Sequence, residues 1–169
     1  MTLKGKVHKF NPNDNINTDY IISGRYKFKT QDINEMAKHL MEDIDPDKNF
    51  YPKITAGDFI VAGANFGGGS SREQAPRVIK AAKISAVIAK SFARIFYRNA
   101  FNIGLPLIEA DTKKIKAGDQ LEVDLSSGKI KNLTQNTEIS FKPFPRVMQK
   151  LLDEGGLVAH LKKHGGFEI

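Results

Sequence analysis

The sequence predicts an α/β fold, a mixed β-sheet with helices packed on it, in a single domain spanning residues 1–169. Two patterns carry that prediction. Through the first two-thirds of the chain, short and continuously apolar runs alternate with segments of helical periodicity, as buried strands joined by helices do. Beyond Asp111 the texture changes to short runs of alternating polarity separated by turn residues, the signature of antiparallel hairpins. A length of 169 residues suits one domain with a core of ordinary size.

Taken in order, residues 6–10 make a short strand candidate, and Asn11-Pro12-Asn13-Asp14-Asn15 is a strong turn signal that opens a loop. The apolar pair Ile21-Ile22 then leads into a basic and aromatic stretch without clear periodicity, Ser23-Gly24-Arg25-Tyr26-Lys27-Phe28-Lys29-Thr30. Asp32 precedes Ile33, Met36, Ala37, Leu40 and Met41, whose spacing predicts the first helix. Phe59-Ile60-Val61-Ala62, bounded by Gly57-Asp58 and Gly63, reads as a buried strand. From Glu73 onward Ala75, Val78, Ile79 and Ala82 recur at helical spacing, which places Ser70 or Ser71 at the N-cap. Residues 86–89 form a second buried strand, and Phe92, Ile95, Phe96, Ala100 and Ile103 mark a helix ending near Gly104. Residues 105–108 read as a third strand, interrupted by Pro106 and so near an edge. The alternating runs are 120–125, 129–132 and 138–141, separated by Ser127-Gly128 and Asn136. A final helix covers residues 145–154 and stops at Gly155-Gly156. The chain shows no internal repeat or low-complexity segment.

Composition narrows the function. Hydrophobic content of 40% and charged content of 27% are those of a soluble globular protein, and no apolar run approaches membrane length. The start, Met1-Thr2-Leu3-Lys4-Gly5-Lys6, lacks the apolar stretch of a signal peptide, so a cytoplasmic location is expected. The net charge of +7 is dispersed or lies in short clusters such as Lys113-Lys114, without interleaved aromatics, which argues against nucleic acid. A basic surface equally suits an acidic partner subunit or a dicarboxylate. The absence of cysteine excludes disulfides and excludes thiolate ligation of zinc or an iron–sulfur cluster by this chain.

The chemistry concentrates in Gly67-Gly68-Gly69-Ser70-Ser71-Arg72-Glu73, between a buried strand and a helix. Successive glycines let the backbone approach a ligand without obstruction, and free N–H groups at a helix start attract negative charge. Arg72 adds a cation whose fork geometry suits a carboxylate. A plain cap needs neither three glycines nor a second serine and an arginine, so the run points to anion binding. The common nucleotide loops do not fit. Walker A requires a lysine after its last glycine, and G-x-G-x-x-G requires a glycine where this chain has Arg72.

These residues, with Asn17-Thr18-Asp19, Gly63-Ala64-Asn65-Phe66-Gly67 and Ala89-Lys90-Ser91-Phe92-Ala93-Arg94-Ile95-Phe96-Tyr97-Arg98-Asn99, carry a resemblance over nearly the whole chain. The chain resembles the small subunits of the isopropylmalate isomerase and homoaconitase group, which correspond to the swivelling domain of aconitases. The resemblance implies a swivelling β/β/α domain with a mixed central sheet. It also implies a heterodimer or heterotetramer with a large subunit that carries a 4Fe–4S cluster on three cysteines. The implied chemistry is dehydration and rehydration of a 2-hydroxy acid, a small dicarboxylate or tricarboxylate. Isomerisation of isopropylmalate through isopropylmaleate in leucine biosynthesis leads; homoaconitase, dimethylmalate or citraconate chemistry are the alternatives.

Carried over residue by residue, Ser70 aligns with the serine that removes the proton beside a carboxylate, and Ser71 and Arg72, in the loop with Gly69, align with residues that hold the substrate. Asp19 matches an aspartate that lies at the active site and interacts with catalytic residues of the large subunit. Arg25, Tyr26, Lys27, Phe28, Lys29 and Thr30 match the specificity loop, with Lys29 aligned, across a one-residue gap, with an arginine that binds a substrate carboxylate. Phe28 favours an alkyl substituent such as isopropyl, whereas Lys27 or Lys29 suits a third carboxylate. Gly68 stands where many relatives have cysteine or another larger residue, which loosens the loop without removing a catalytic group. A serine hydroxyl is a poor base in water, so N–H donors and a nearby cation must favour its alkoxide. Departing hydroxide needs a Lewis acid, which the unligated iron of the partner's cluster supplies. The non-enzymatic alternative is a free-standing anion-binding module.

Other candidates read more plainly. His160 and His164 are four apart, but with Lys162-Lys163 around them and no acidic third ligand nearby they read as a solvated helix end. Arg94 and Arg98 suit substrate contact or an interface equally. Phe92 and Phe96 read as core, and Asp14 with Asp19 in a loop says little about acid–base work.

Overall fold

The computed structural model describes residues 1–166. Four strands, β1 (Thr2–His8), β2 (Phe59–Val61), β3 (Ala86–Ala89) and β4 (Leu107–Glu109), pair in parallel. Three more, β5 (Gln120–Asp124), β6 (Lys129–Asn132) and β7 (Thr137–Ser140), continue antiparallel from the other side of β1. The resulting seven-stranded mixed sheet has the order β4-β3-β2-β1-β5-β6-β7, so β4 lies at an edge, as Pro106 predicts. The antiparallel hairpins after Asp111 also form as expected.

Strands β2 and β3 read as continuous apolar runs because both of their faces are covered. On one face Ile60, Val87 and Ala89 pack with Val78, Ile79, Phe96 and Ala100. On the other Phe59, Val61 and Ile88 pack with Leu121, Val123, Ile130 and Leu152. Each fully buried Ile, Val or Phe among them contributes roughly 1.5–3 kcal/mol of transfer free energy.

The helices are α1 (Thr18–Ile21), α2 (Gly24–Lys27), α3 (Ile33–Ala37), α4 (Gln74–Ala81), α5 (Arg94–Asn102), α6 (Arg146–Asp153) and α7 (Leu157–His164). Among the described residues none is long and apolar enough to cross a membrane. Strand β1 starts earlier than its apolar pattern predicts, because residues 2–6 pair with β5 while staying partly exposed; Lys4 and Glu122 form a cross-strand ion pair at 2.7 Å. The helix expected over Ile33 to Met41 ends at Ala37. Leu40 and Met41 are buried from irregular turns, with Met41 at φ 56° and its N–H donating to Ile21 O at 2.9 Å.

Two further differences bear on function. Helix α4 begins at Gln74, not directly after the serines: Arg72 N donates to Ser70 O at 2.8 Å, a tight turn that keeps Ser70 and Ser71 out of the helix and leaves their hydroxyls free of capping. An additional helix, α7, follows Gly155-Gly156, and His160 on it is wholly buried rather than solvated. An acidic neighbour is present after all. Glu154 lies 2.5 Å from His160 Nδ1 and 3.1 Å from His164 Nε2, and hydrogen bonds from the two imidazoles hold its carboxyl down at about 2.

Candidate active site

The glycine run is built into place by a short parallel pairing with the loop after Pro12. Gly67 N donates to Ile16 O at 2.7 Å, and Thr18 N donates to Gly68 O at 2.9 Å, so Asn17 and Gly68 bridge. Gly68 is therefore pinned rather than loose. Gly67 sits at φ +81°, and an added Cβ there would lie 2.2 Å from the Phe96 ring. Asp14 serves the same scaffold, since its carboxylate accepts from Ala64 N at 2.7 Å. Asn17 caps α1 by accepting from Tyr20 N at 2.9 Å.

This scaffold brings Ser70 against Thr18. The Thr18 hydroxyl donates to Ser70 O at 3.0 Å and lies 3.5 Å from Ser70 Oγ. Ser70 and Ser71 are exposed, and they line a cavity of about 480 Å³ together with Thr18, Gly67, Gly69 and Arg72. That volume suits a small organic ligand. The opposite wall is the start of α5, with Arg94, Ile95, Phe96, Arg98 and Asn99. Arg72 holds the rim: its Nη1 lies 2.6 Å from Asp19 Oδ1 and donates to Ile22 O at 3.0 Å.

The structure thus gathers Asp19, Gly69, Ser70, Ser71 and Arg72 in one place. The stretch from Arg25 to Thr30 lies outside the cavity, linked to it through Gly24, where an added Cβ would sit 3.1 Å from Arg72 Nη2. Arg25 is engaged by Asp43 at 2.7 and 3.1 Å, a pairing that raises its pKa. Tyr26 is buried and stacked on His39 with ring centroids 3.8 Å apart. Burial first, and then its hydrogen bond to Glu42 at 2.8 Å, raise the Tyr26 phenol. Lys27 and Lys29 are exposed, the latter over the Tyr26 ring, and Thr30 Oγ1 accepts from Asp32 N at 3.0 Å. Phe28 is 90% exposed.

Thr18, Ile95 and Asn99 are among the lining residues that the reading of the sequence did not single out. Thr18 stands inside the Asn-Thr-Asp signature, yet its hydroxyl contact with the serine loop joins residues 52 positions apart and has no local signal. Ile95 falls at a helical core spacing but is 56% exposed on the cavity side, and Asn99 lies one turn further on.

Known proteins of similar sequence place the chain in a family. Residues 15–113 match the aconitase C-terminal domain family. A 3-isopropylmalate dehydratase small subunit 2 of Archaeoglobus fulgidus is 57% identical over 169 residues, all of both chains. The chain belongs to the 3-isopropylmalate dehydratase small subunits of the aconitase C-terminal domain family. Another member of these small subunits, small subunit 1 of Thermotoga maritima, is 52% identical over 166 residues, 98% of each chain. The crystal structure of the 3-isopropylmalate dehydratase of Methanocaldococcus jannaschii aligns with a TM-score of 0.90 at 50% identity, over 98% of this chain and 96% of that one. A small subunit implies a large-subunit partner.

Proposed function

We propose that this chain is the small-subunit half of a cytoplasmic hydro-lyase that interconverts 2-isopropylmalate and 3-isopropylmalate through isopropylmaleate, with Ser70 as the group that moves the proton. The observation that carries the reading is Ser70 itself, an exposed hydroxyl released from helix capping and facing a cavity with Arg72 at its rim. The full-length relatives supply the substrate.

Proton removal beside a carboxylate requires the Ser70 alkoxide. Thr18 has a single hydroxyl proton, donated to Ser70 O at rest; turned toward Oγ, 3.5 Å away, it supports the developing negative charge. Ser71, the Gly69 backbone and the Arg72 guanidinium hold a substrate carboxylate. Asp19 fixes Arg72 through their ion pair and is itself exposed toward the side a partner would cover. Arg25, Tyr26, Lys27, Phe28, Lys29 and Thr30 keep their specificity role through docking: the large subunit brings the exposed Phe28 and Lys29 toward the bound substrate, and Phe28 meets the isopropyl group.

A 4Fe–4S cluster does not fit the donor set of this chain, which offers no thiolate among its 169 residues. The cluster belongs to the proposed large subunit, in a heterodimer or heterotetramer. A panel of isopropylmalate, homoaconitate, citraconate and dimethylmalate with the reconstituted complex tests the substrate. The highest kcat/KM is expected for isopropylmalate. Preference for another acid contradicts the substrate, and no hydro-lyase activity on any of them leaves an anion-binding module.

A further inference from the structure

The end of α5 remote from the cavity packs on a side-chain cluster that the reaction does not use. Gly155 (φ 92°) and Gly156 (φ 105°) reverse the chain between α6 and α7. No side chain fits on Gly156, where an added Cβ would lie 2.3 Å from Gly104 N and 2.5 Å from Asn102 O. The turn is thereby locked against the end of α5, and it holds Glu154 opposite α7. His160 and His164, one turn apart, share a face of that helix with ring centroids 4.6 Å apart. Glu154 Oε2 lies 2.5 Å from His160 Nδ1, and Oε1 lies 3.1 Å from His164 Nε2. One ligand atom from each of the three residues falls within 4.8 Å of the others.

We propose that Glu154, His160 and His164 form a binding site for a divalent ion of the zinc class. Two imidazole nitrogens and one carboxylate oxygen suit Zn²⁺, Co²⁺ or Ni²⁺, whereas Ca²⁺ and Mg²⁺ take oxygen donors. A tetrahedral ion with bonds of about 2.0–2.2 Å sets its ligand atoms about 3.4 Å apart. The ligand atoms, now within 4.8 Å of one another, reach that spacing when the Glu154 carboxylate backs away from His160 by about 1 Å and the two imidazoles turn toward the ion, all side-chain rotations at the mouth of the turn. Lys163, whose Nζ lies 3.5 Å from Glu154 Oε1, is largely exposed and swings to solvent. His160 is fully buried while His164 is partly exposed, so the ion enters from the His164 side and solvent completes its coordination there. The bound ion staples α6 to α7 behind α5, apart from the Ser70 cavity.

The test uses the full chain stripped with EDTA, titrated with Co²⁺ by visible absorption and with Zn²⁺ by calorimetry. Expected are one Co²⁺ per chain with the intense bands of four-coordinate cobalt, displacement by Zn²⁺, and a rise in Tm with Zn²⁺. Glu154→Gln and His164→Gln, both at partly exposed positions, should each weaken Zn²⁺ binding by about tenfold or more. Imidazole ¹⁵N shifts of His160 and His164 on adding Zn²⁺ report ligation in the unaltered chain. The absence of saturable binding, wild-type affinity in both variants, or unmoved imidazole resonances at saturating Zn²⁺ overturns the proposal and leaves a hydrogen-bonded clasp.

Discussion

Ser70 has its oxygen available because α4 starts at Gln74, four residues later, and uses no side chain as its cap. The Thr18 hydroxyl lies 3.5 Å from Ser70 Oγ, so Thr18→Val should lower kcat of the complex by roughly 10²-fold with little change in KM; an unaltered kcat leaves Thr18 without a part in proton transfer. The three glycines before Ser70 differ sharply in what they tolerate. Gly67→Ala meets both a positive φ and the Phe96 ring and should cost about 1–3 kcal/mol in urea unfolding. Gly68→Ala, whose Cβ would meet only the end of the Asn65 side chain at 3.2 Å, should stay within about 0.5 kcal/mol. Equal costs at the two positions contradict this geometry. The glycine run stands out in the sequence, but which glycine is sterically required depends on Phe96, packed against it from another helix.

At the scale of elements, the junction of β1 and β2 depends on one buried carboxylate. Asp58 accepts from Lys6 N at 3.1 Å, Thr55 N at 2.9 Å and His8 Nε2 at 2.7 Å. Burial alone pushes its pKa up, but the bonds from Thr55, His8 and Lys6 outweigh burial and hold it below the ordinary value. A carboxyl depressed in the folded state contributes stability that is fully present above its unfolded pKa and is lost as pH falls through the folded one. Urea midpoints should therefore fall with acidification below about pH 4, and Asp58→Asn should flatten that dependence; an equally steep fall in the variant assigns it elsewhere. Elements with a strong pattern were legible in the sequence: the apolar run 86–89 is β3, and Pro106 marks the approach to the edge strand β4. Helices α1 and α2 span four residues each, too short to show a period. Helix α7 was legible only at its end, in the spacing of His160 and His164, because Gly155-Gly156 reads as a stop, whereas here it turns the chain into another helix against α5.

For the whole molecule, the cavity at Ser70 has one wall from the glycine loop and one from α5, and the stretch from Arg25 to Thr30 stands outside it with Phe28 in solvent. The place of the cavity was legible in the sequence, since the run that holds Ser70, Ser71 and Arg72 lines it. The position of the Arg25 to Thr30 stretch was not, because Asp43 engages Arg25 while Glu42 and His39 hold Tyr26 inward through contacts that no local pattern announces. The proposed function makes this chain the source of the proton-transferring oxygen in a site that a large subunit completes. Turnover of isopropylmalate by the reconstituted complex, with wild-type chain and with Ser70→Ala, tests it most directly. The variant should still assemble and fold while kcat drops by about 10²–10⁴-fold, and the chain alone should show no turnover. Full activity in the Ser70→Ala complex, or hydroxyacid turnover by the isolated chain, would contradict the claim.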